Sequence, residues 1–228
     1  MAGLASLALL RALQHGDSAF PNGGFAFSQG LEGLALLDGK PDARRVGTFI
    51  RSLIVTRWAS FDRVALVRAH RAAGDLDELA AIDAEVEAAS VVEPLRVGSR
   101  RHGGAFLAAH DRLGTLGAGA YRVRIAAGSA FGHLPVVQAL AWSATGIDAD
   151  TAAAMSGYGL AAGLVSAAIR LGLAGAIDGQ RLIGDALATI ADVLADDVPD
   201  DEPLAGFSPH AELAALRQNG AALRLFST

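Results

Sequence analysis

The sequence predicts an all-α protein, a single-domain helical bundle of roughly eight to ten helices with a short C-terminal tail. Three observations predict it. Apolar residues keep three-and-four spacing over most of the chain. Period-two alternation lasts nowhere, and Val and Ile are scattered rather than clustered. Hydrophobic residues make up 52% but aromatic ones only 6%, so the excess is largely alanine, whose small side chain lets helix backbones approach closely.

Residues 4–14 suit a first helix, and a second is expected from about Phe25 to Leu37, stopped by Gly39 and Pro41. From Asp42 to Arg71 the apolar positions Val46, Phe49, Ile50, Leu53, Ile54, Trp58, Phe61 and Val64 outline an amphipathic helix with room for one break. Asp75 is placed to cap the next helix, with Glu78 three residues on, and Pro94 is expected to kink or split the helical stretch around it. Residues 112–121 read as a loop. Two further helices are expected over Thr151–Leu171 and Asp178–Leu194. The acidic "ADDVPDDEP" (195–203) reads as a solvated linker, dividing a bundle domain, 1–194, from an acidic linker and C-terminal partner-binding tail, 195–228.

With 19 basic and 24 acidic residues spread along the chain, the charge of −5 gives no footprint for nucleic acid. There is no cysteine, which removes disulfides, thiolate metal sites and cysteine nucleophiles and fits a cytoplasmic protein. Residues 125–147 and 151–169 carry no Asp, Glu, Lys or Arg and are long enough to cross a bilayer. Both are rich in Ala, Gly and Ser, without aromatic ends or a basic flank, so they read as buried helices with no membrane contact.

"DSAFPNGGFAFSQGLEG" (17–33) crowds three phenylalanines around a Pro-Asn-Gly-Gly turn. The only lysine, Lys40, lies outside it, so it is no phosphate-binding loop; positive φ at Gly23 or Asn22 would make the turn. Phe20 and Phe25 flank the turn and are expected to fold onto one apolar patch, with Phe27 pointing elsewhere on the second helix. The six histidines never form an H-x₃-H pair. Ser99, in "RVGSRRHGG", suggests an anion pocket or a surface turn, and "GLEG" reads as helix surface. Gly159 and Gly163 share a helix face that another backbone could approach, within the fold or from a second copy. Arg170, after a long uncharged run, needs acceptors, and Glu32 or Glu93 is the expected partner.

Several segments, in order, resemble the urease accessory protein F family, UreF. They are "SAFPNGGFAFSQGLE" (18–32), "EPLRVGSRRHGGAFL" (93–107), "FGHLPVVQALA" (131–141), "YGLAAGLVSAAIRLGLAGAIDGQRLI" (158–183) and the final "RLFST". The resemblance implies an all-helical homodimer without enzymatic activity. It would bridge a UreD- or UreH-type accessory protein and the nickel-carrying GTPase UreG, so that the assembly delivers nickel to apo-urease. No cofactor is expected to bind stably, nickel being handled only by the larger assembly. The matched positions, implied to bind partners, are Pro21, Gly23, Gly24, Phe25, Ser28, Gly30 and Glu32, then Glu93, Arg96, Ser99 and Gly103. Gly132, His133, Tyr158, Arg170, Leu171, Gln180, Arg224, Leu225, Phe226 and Ser227 complete the set. The C-terminal tail would order when the UreD-type partner binds, as a short fold-on-binding segment does.

Three departures stand out. Ala174-Gly175-Ala176 replaces the family's Leu-Gly-Gln, and Gln218-Asn219 replaces a His-Glu pair that could contact nickel or a partner. The family's Ser-x-Arg-Met-Gly becomes Ser99-Arg100-Arg101-His102-Gly103. On residues alone two other functions stay open: a helical enzyme with a site near Ser99, His133 and Arg170, and a small membrane protein.

Overall fold

The computed structural model describes residues 2–219 and Phe226. Arg224, Leu225 and Ser227 of the family-matched set lie outside the described residues. Among those described there are only helices and turns: α1 (Ala2–Gly16), α2 (Leu31–Asp38), α3 (Ala43–Leu53), α4 (Arg63–Arg71), α5 (Leu76–Ala89), α6 (Glu93–Arg112), α7 (Ala118–Ala126), α8 (Leu134–Ala144), α9 (Ala149–Arg170), α10 (Ala176–Leu194) and α11 (Pro209–Asn219). A π-helical segment, Ile54–Asp62, joins α3 to α4 without interruption, so the rods number ten among the described residues.

Local chemistry sets several boundaries. Asp42, Asp75 and Asp148 each turn a carboxylate onto the first backbone N–H groups of α3, α5 and α9. Pro94 lies in the first turn of α6, where its missing N–H costs nothing, so it starts a helix rather than kinking one. The second helix begins six residues later than expected. Gly24–Ala26 is an isolated 3₁₀ turn, and positive φ at Gln29 and Gly30 (50° and 89°) postpones α2 to Leu31. Gly23 supplies the positive φ of the turn, at 79°.

Two apolar clusters form the core. One gathers α4, α5, α6, α7, α8 and the start of α9; the other gathers α2, α3, α10, α11 and the rest of α9. The α3–α4 rod and α9 run through both. The first uncharged stretch is two short pieces, because the turn after α7 interrupts it; the second is α9, whose Ala161, Leu164, Val165 and Ala168 are core.

The widened π turn has a consequence downstream. Its carbonyls at Thr56 and Ser60 accept the N–H groups of Phe207 and Ala205, at 3.1 and 3.0 Å. Residues 195–203 are exposed apart from Val198 and Glu202, and two arginines tether them to the bundle. Arg63 donates to the carbonyls of Val193 and Asp196 at the end of α10, Arg71 to Asp200 and the Val198 carbonyl, and Val198 is buried.

Candidate functional site

Many of the described family-matched residues gather at two places. At the first, α5 and α6 grip the turn between α7 and α8. Gly132 takes φ 78°, and a Cβ at Gly103 would lie 2.1 Å from the Gly132 carbonyl oxygen, so only glycine lets α6 come this close. The backbone N–H groups of Phe131, Gly132 and His133 all point at the Asp83 carboxylate, at 2.8, 2.7 and 3.0 Å, and the Tyr121 hydroxyl donates to it at 2.9 Å. Asp83 is fully buried, so this nest of donors replaces its water shell. Burial, then the adjacent Asp83 charge, pushes the Tyr121 hydroxyl pKa up.

His133, also fully buried, extends this network outward. Its Nε2 is 2.8 Å from Glu87 and its Nδ1 3.1 Å from Ser99 Oγ, while Leu134 N–H donates to the same Ser99 oxygen at 3.2 Å. One neutral tautomer satisfies every contact: Nε2–H donates to Glu87, and the Ser99 hydroxyl donates to Nδ1. Burial, outweighing the Glu87 hydrogen bond, lowers the His133 pKa and so favours that neutral form. Glu87 is in turn flanked by Arg96 and Arg100 at 3.3 and 3.4 Å.

This Ser–His–Glu chain has the order of a catalytic triad, but its members are spent on structure. The Ser99 oxygen caps the first N–H of α8, and the imidazole is sealed from solvent. Ser99 therefore sits in mid-helix, not in a surface turn. Arg170, the third residue of the expected enzymatic site, belongs to a different place. Glu93 is exposed in the first turn of α6.

At the second place, the 17–30 connection, α2, α9, α11 and Phe226 converge. The Arg170 guanidinium lies between two rings, 3.6 Å from the Phe25 centroid and 4.1 Å from that of Phe226, and donates to the Phe25 carbonyl. It does not pair with Glu32 or Glu93. Glu32 is buried rather than on the surface, and its carboxylate accepts from Gln218 Nε2 at 2.8 Å and from Phe226 N–H at 3.3 Å. Ser28 Oγ donates to Gln218 Oε1 at 3.1 Å. Gln218, fully buried, thus locks α11 to α2; its amide both donates and accepts, which the two partners require. Gly30 and Gly33 make the approach possible, since a Cβ on Gly33 would fall 1.8 Å from the Ala214 carbonyl oxygen.

The phenylalanines part company. Phe20 is buried against His15, Phe106 and His110, while Phe25 is 71% exposed over Arg170. Phe27 is not on α2; it stacks on His102. The two rings flanking the turn therefore do not share a patch, because the 3₁₀ turn carries Phe25 round to α9. Pro21 is exposed beside the turn, and Gly23 and Gly24 lie against Ala105 and His102 of α6. Tyr158 and Gln180 are exposed on α9 and α10, and Leu171 is half-buried, in neither constellation. A methyl group added at Gly159 or Gly163 would meet nothing within 4 Å among the described residues, so no intramolecular backbone uses that face.

The match to known proteins follows the same segments. The UreF family profile fits residues 41–187, well over half of the chain. The chain belongs to the UreF family. Urease accessory protein UreF 1 of Brucella melitensis is 32% identical over 230 residues, covering 96% of this chain and 92% of its own. UreF of a Jannaschia species is 30% identical with 96% and 94% covered, and UreF of Trichodesmium erythraeum is 27% identical with 96% of both covered. UreF proteins are accessory proteins of urease maturation, not catalysts. In this UreF-family chain the residues that sequence reading passed over are Asp83, Glu87 and Tyr121, which anchor Gly132 and His133. An Asp and a Glu four apart on a helix carry no local mark of burial.

Proposed function

We propose that this UreF-family chain is a cytoplasmic scaffold that joins a UreD- or UreH-type accessory protein to the GTPase UreG, so that the assembly inserts nickel into apo-urease. Nickel is cargo of that assembly. The observation that carries the reading is the surface made by Phe25 and Arg170 over the buried Phe226 ring. An exposed aromatic ring and an arginine, held by three segments far apart in sequence, have the composition of protein-binding hot spots. A second apolar surface supports the reading: Leu7, Leu10 and Leu13 of α1, 43–63% exposed, recur on one helix face beside Leu113. Gly159 and Gly163, open on α9, offer a close-approach seam for a second copy in a homodimer.

Co-expression and pull-down with both partners tests the function. A ternary complex is expected from the native chain, and Arg170→Ala or Phe25→Ala should reduce capture of one partner while far-UV circular dichroism is unchanged. Failure of the native chain to capture either partner would refute the scaffold reading. Undiminished capture by both variants would refute this surface as its site.

A further inference from the structure

The 17–27 segment lies in a bed of histidines. His102, Ala105, Phe106 and His110 follow one face of α6. At one end the Phe20 ring is 4.9 Å from His15 and 5.3 Å from His110, and the two imidazoles meet edge to face at 4.9 Å. At the other end Phe27 stacks on His102 at 5.3 Å, and a Cβ at Gly24 would come within 3.1 Å of that imidazole. His15 and His110 are buried, and His15 Nδ1 and His110 Nε2 reach no hydrogen-bond partner among the described residues. His110 Nδ1 meets the Thr115 hydroxyl at 2.9 Å. The backbone–backbone hydrogen bonds described for this segment are local ones, and its Phe25 carbonyl accepts from Arg170 of α9, so rings rather than ladders attach the segment to α6.

We infer that this segment and α1 form a proton-sensitive clasp: a proton taken up by His15, His102 or His110 loosens them from α6 while α9 and α10 stay folded. A charge placed among these rings would lack a counter-ion among the described residues, and at the buried His15 and His110 it would lack water as well. The charged groups around them do not compensate. Arg11 on α1 and Arg170 on α9 are positive, Asp17 accepts the Ala19 N–H, Asp111 of α6 pairs with Arg122, and α8 contributes the apolar body of Trp142. Burial holds His102 and His110 down to about 4, and burial followed by the Arg11 charge lowers His15. A histidine neutral when docked and protonated when free costs up to about tenfold in docking equilibrium per pH unit below its ordinary value.

Hydrogen–deuterium exchange of the full chain at pH 7.5 and 5.0, with times corrected for intrinsic rate, tests it. Protection of α1 and residues 17–27 should fall at least about tenfold at pH 5.0, with α9 and α10 unchanged. The double variant His102→Phe, His110→Phe should remove most of that dependence. Unchanged protection in the native chain, loss from α9 and α10 in step with the clasp, or a full pH response in the variant would each overturn the inference. Histidine NMR titration of the native chain gives an independent reading should the variant not fold. Titration of all three rings near 6.5, with the segment still protected, would also overturn it.

Discussion

Gly103 of α6 touches the Gly132 carbonyl so closely that a side chain on Gly103 would place its Cβ 2.1 Å from that oxygen. The adjacent Gly104 is exposed, with nothing within 4 Å. Two neighbouring glycines in one helix should therefore respond oppositely. Gly103→Ala is expected to destabilise the fold by about 3 kcal/mol as α6 is pushed from the turn. Gly104→Ala should be neutral or stabilising by up to about 1 kcal/mol, from helix propensity. Urea denaturation distinguishes them, and equal effects would contradict the packing described.

Asp83 holds that turn through four donors, so the loss of its charge and one acceptor should be costly. Asp83→Asn is expected to lose on the order of 2–4 kcal/mol, because its amide NH₂ cannot accept from backbone N–H groups. Tyr121→Phe removes one donor and should lose about 1 kcal/mol. Thermal melts of the two variants should rank in that order; the reverse order would refute Asp83 as the anchor.

Docking of α11 on α2 depends on the absence of a side chain at Gly33. Gly33→Ala should displace α11, exposing it to limited proteolysis while α9 and α10 remain resistant. Gln218→Ala should weaken the same contact by roughly 1–3 kcal/mol, since Glu32 and Ser28 lose buried partners. An α11 that stays protease-resistant in Gly33→Ala would show that the helix can shift without detaching.

Stability should also follow pH with a definite sign. His110 is held down to about 4 in the folded chain, below the ordinary 6.5, so the unfolded chain binds the proton first. Its neutral-form stability is complete above about 6.5, falls as pH drops toward about 4, and then levels. His110→Phe should flatten the fall in melting temperature between pH 7 and 5. An unchanged slope would mean that His110 is not among the groups responsible.

Much of the helical plan could be read directly. Asp75 caps α5 as its position implied, and α9 and α10 fall within two residues of the expected spans at each end. Glu32 and Arg170 could not be paired from sequence, because each found backbone or amide partners that spacing does not reveal: Arg170 took a carbonyl and two rings, Glu32 an amide and an N–H. The Gln218 departure looked like a lost functional group, and only the α2–α11 contact shows it as a buried lock.

By itself the sequence determined the class and the order of the helices, since periodicity, caps and glycine stops act within a few residues of each other. It also carried the family, through segments whose order survives without knowledge of their contacts. Tertiary structure alone decided which glycines are close approaches, which acids are buried, and where each phenylalanine goes. Those outcomes depend on groups tens to hundreds of residues apart meeting at atomic distance, and the energy that selects among them arises only after water has been excluded between them.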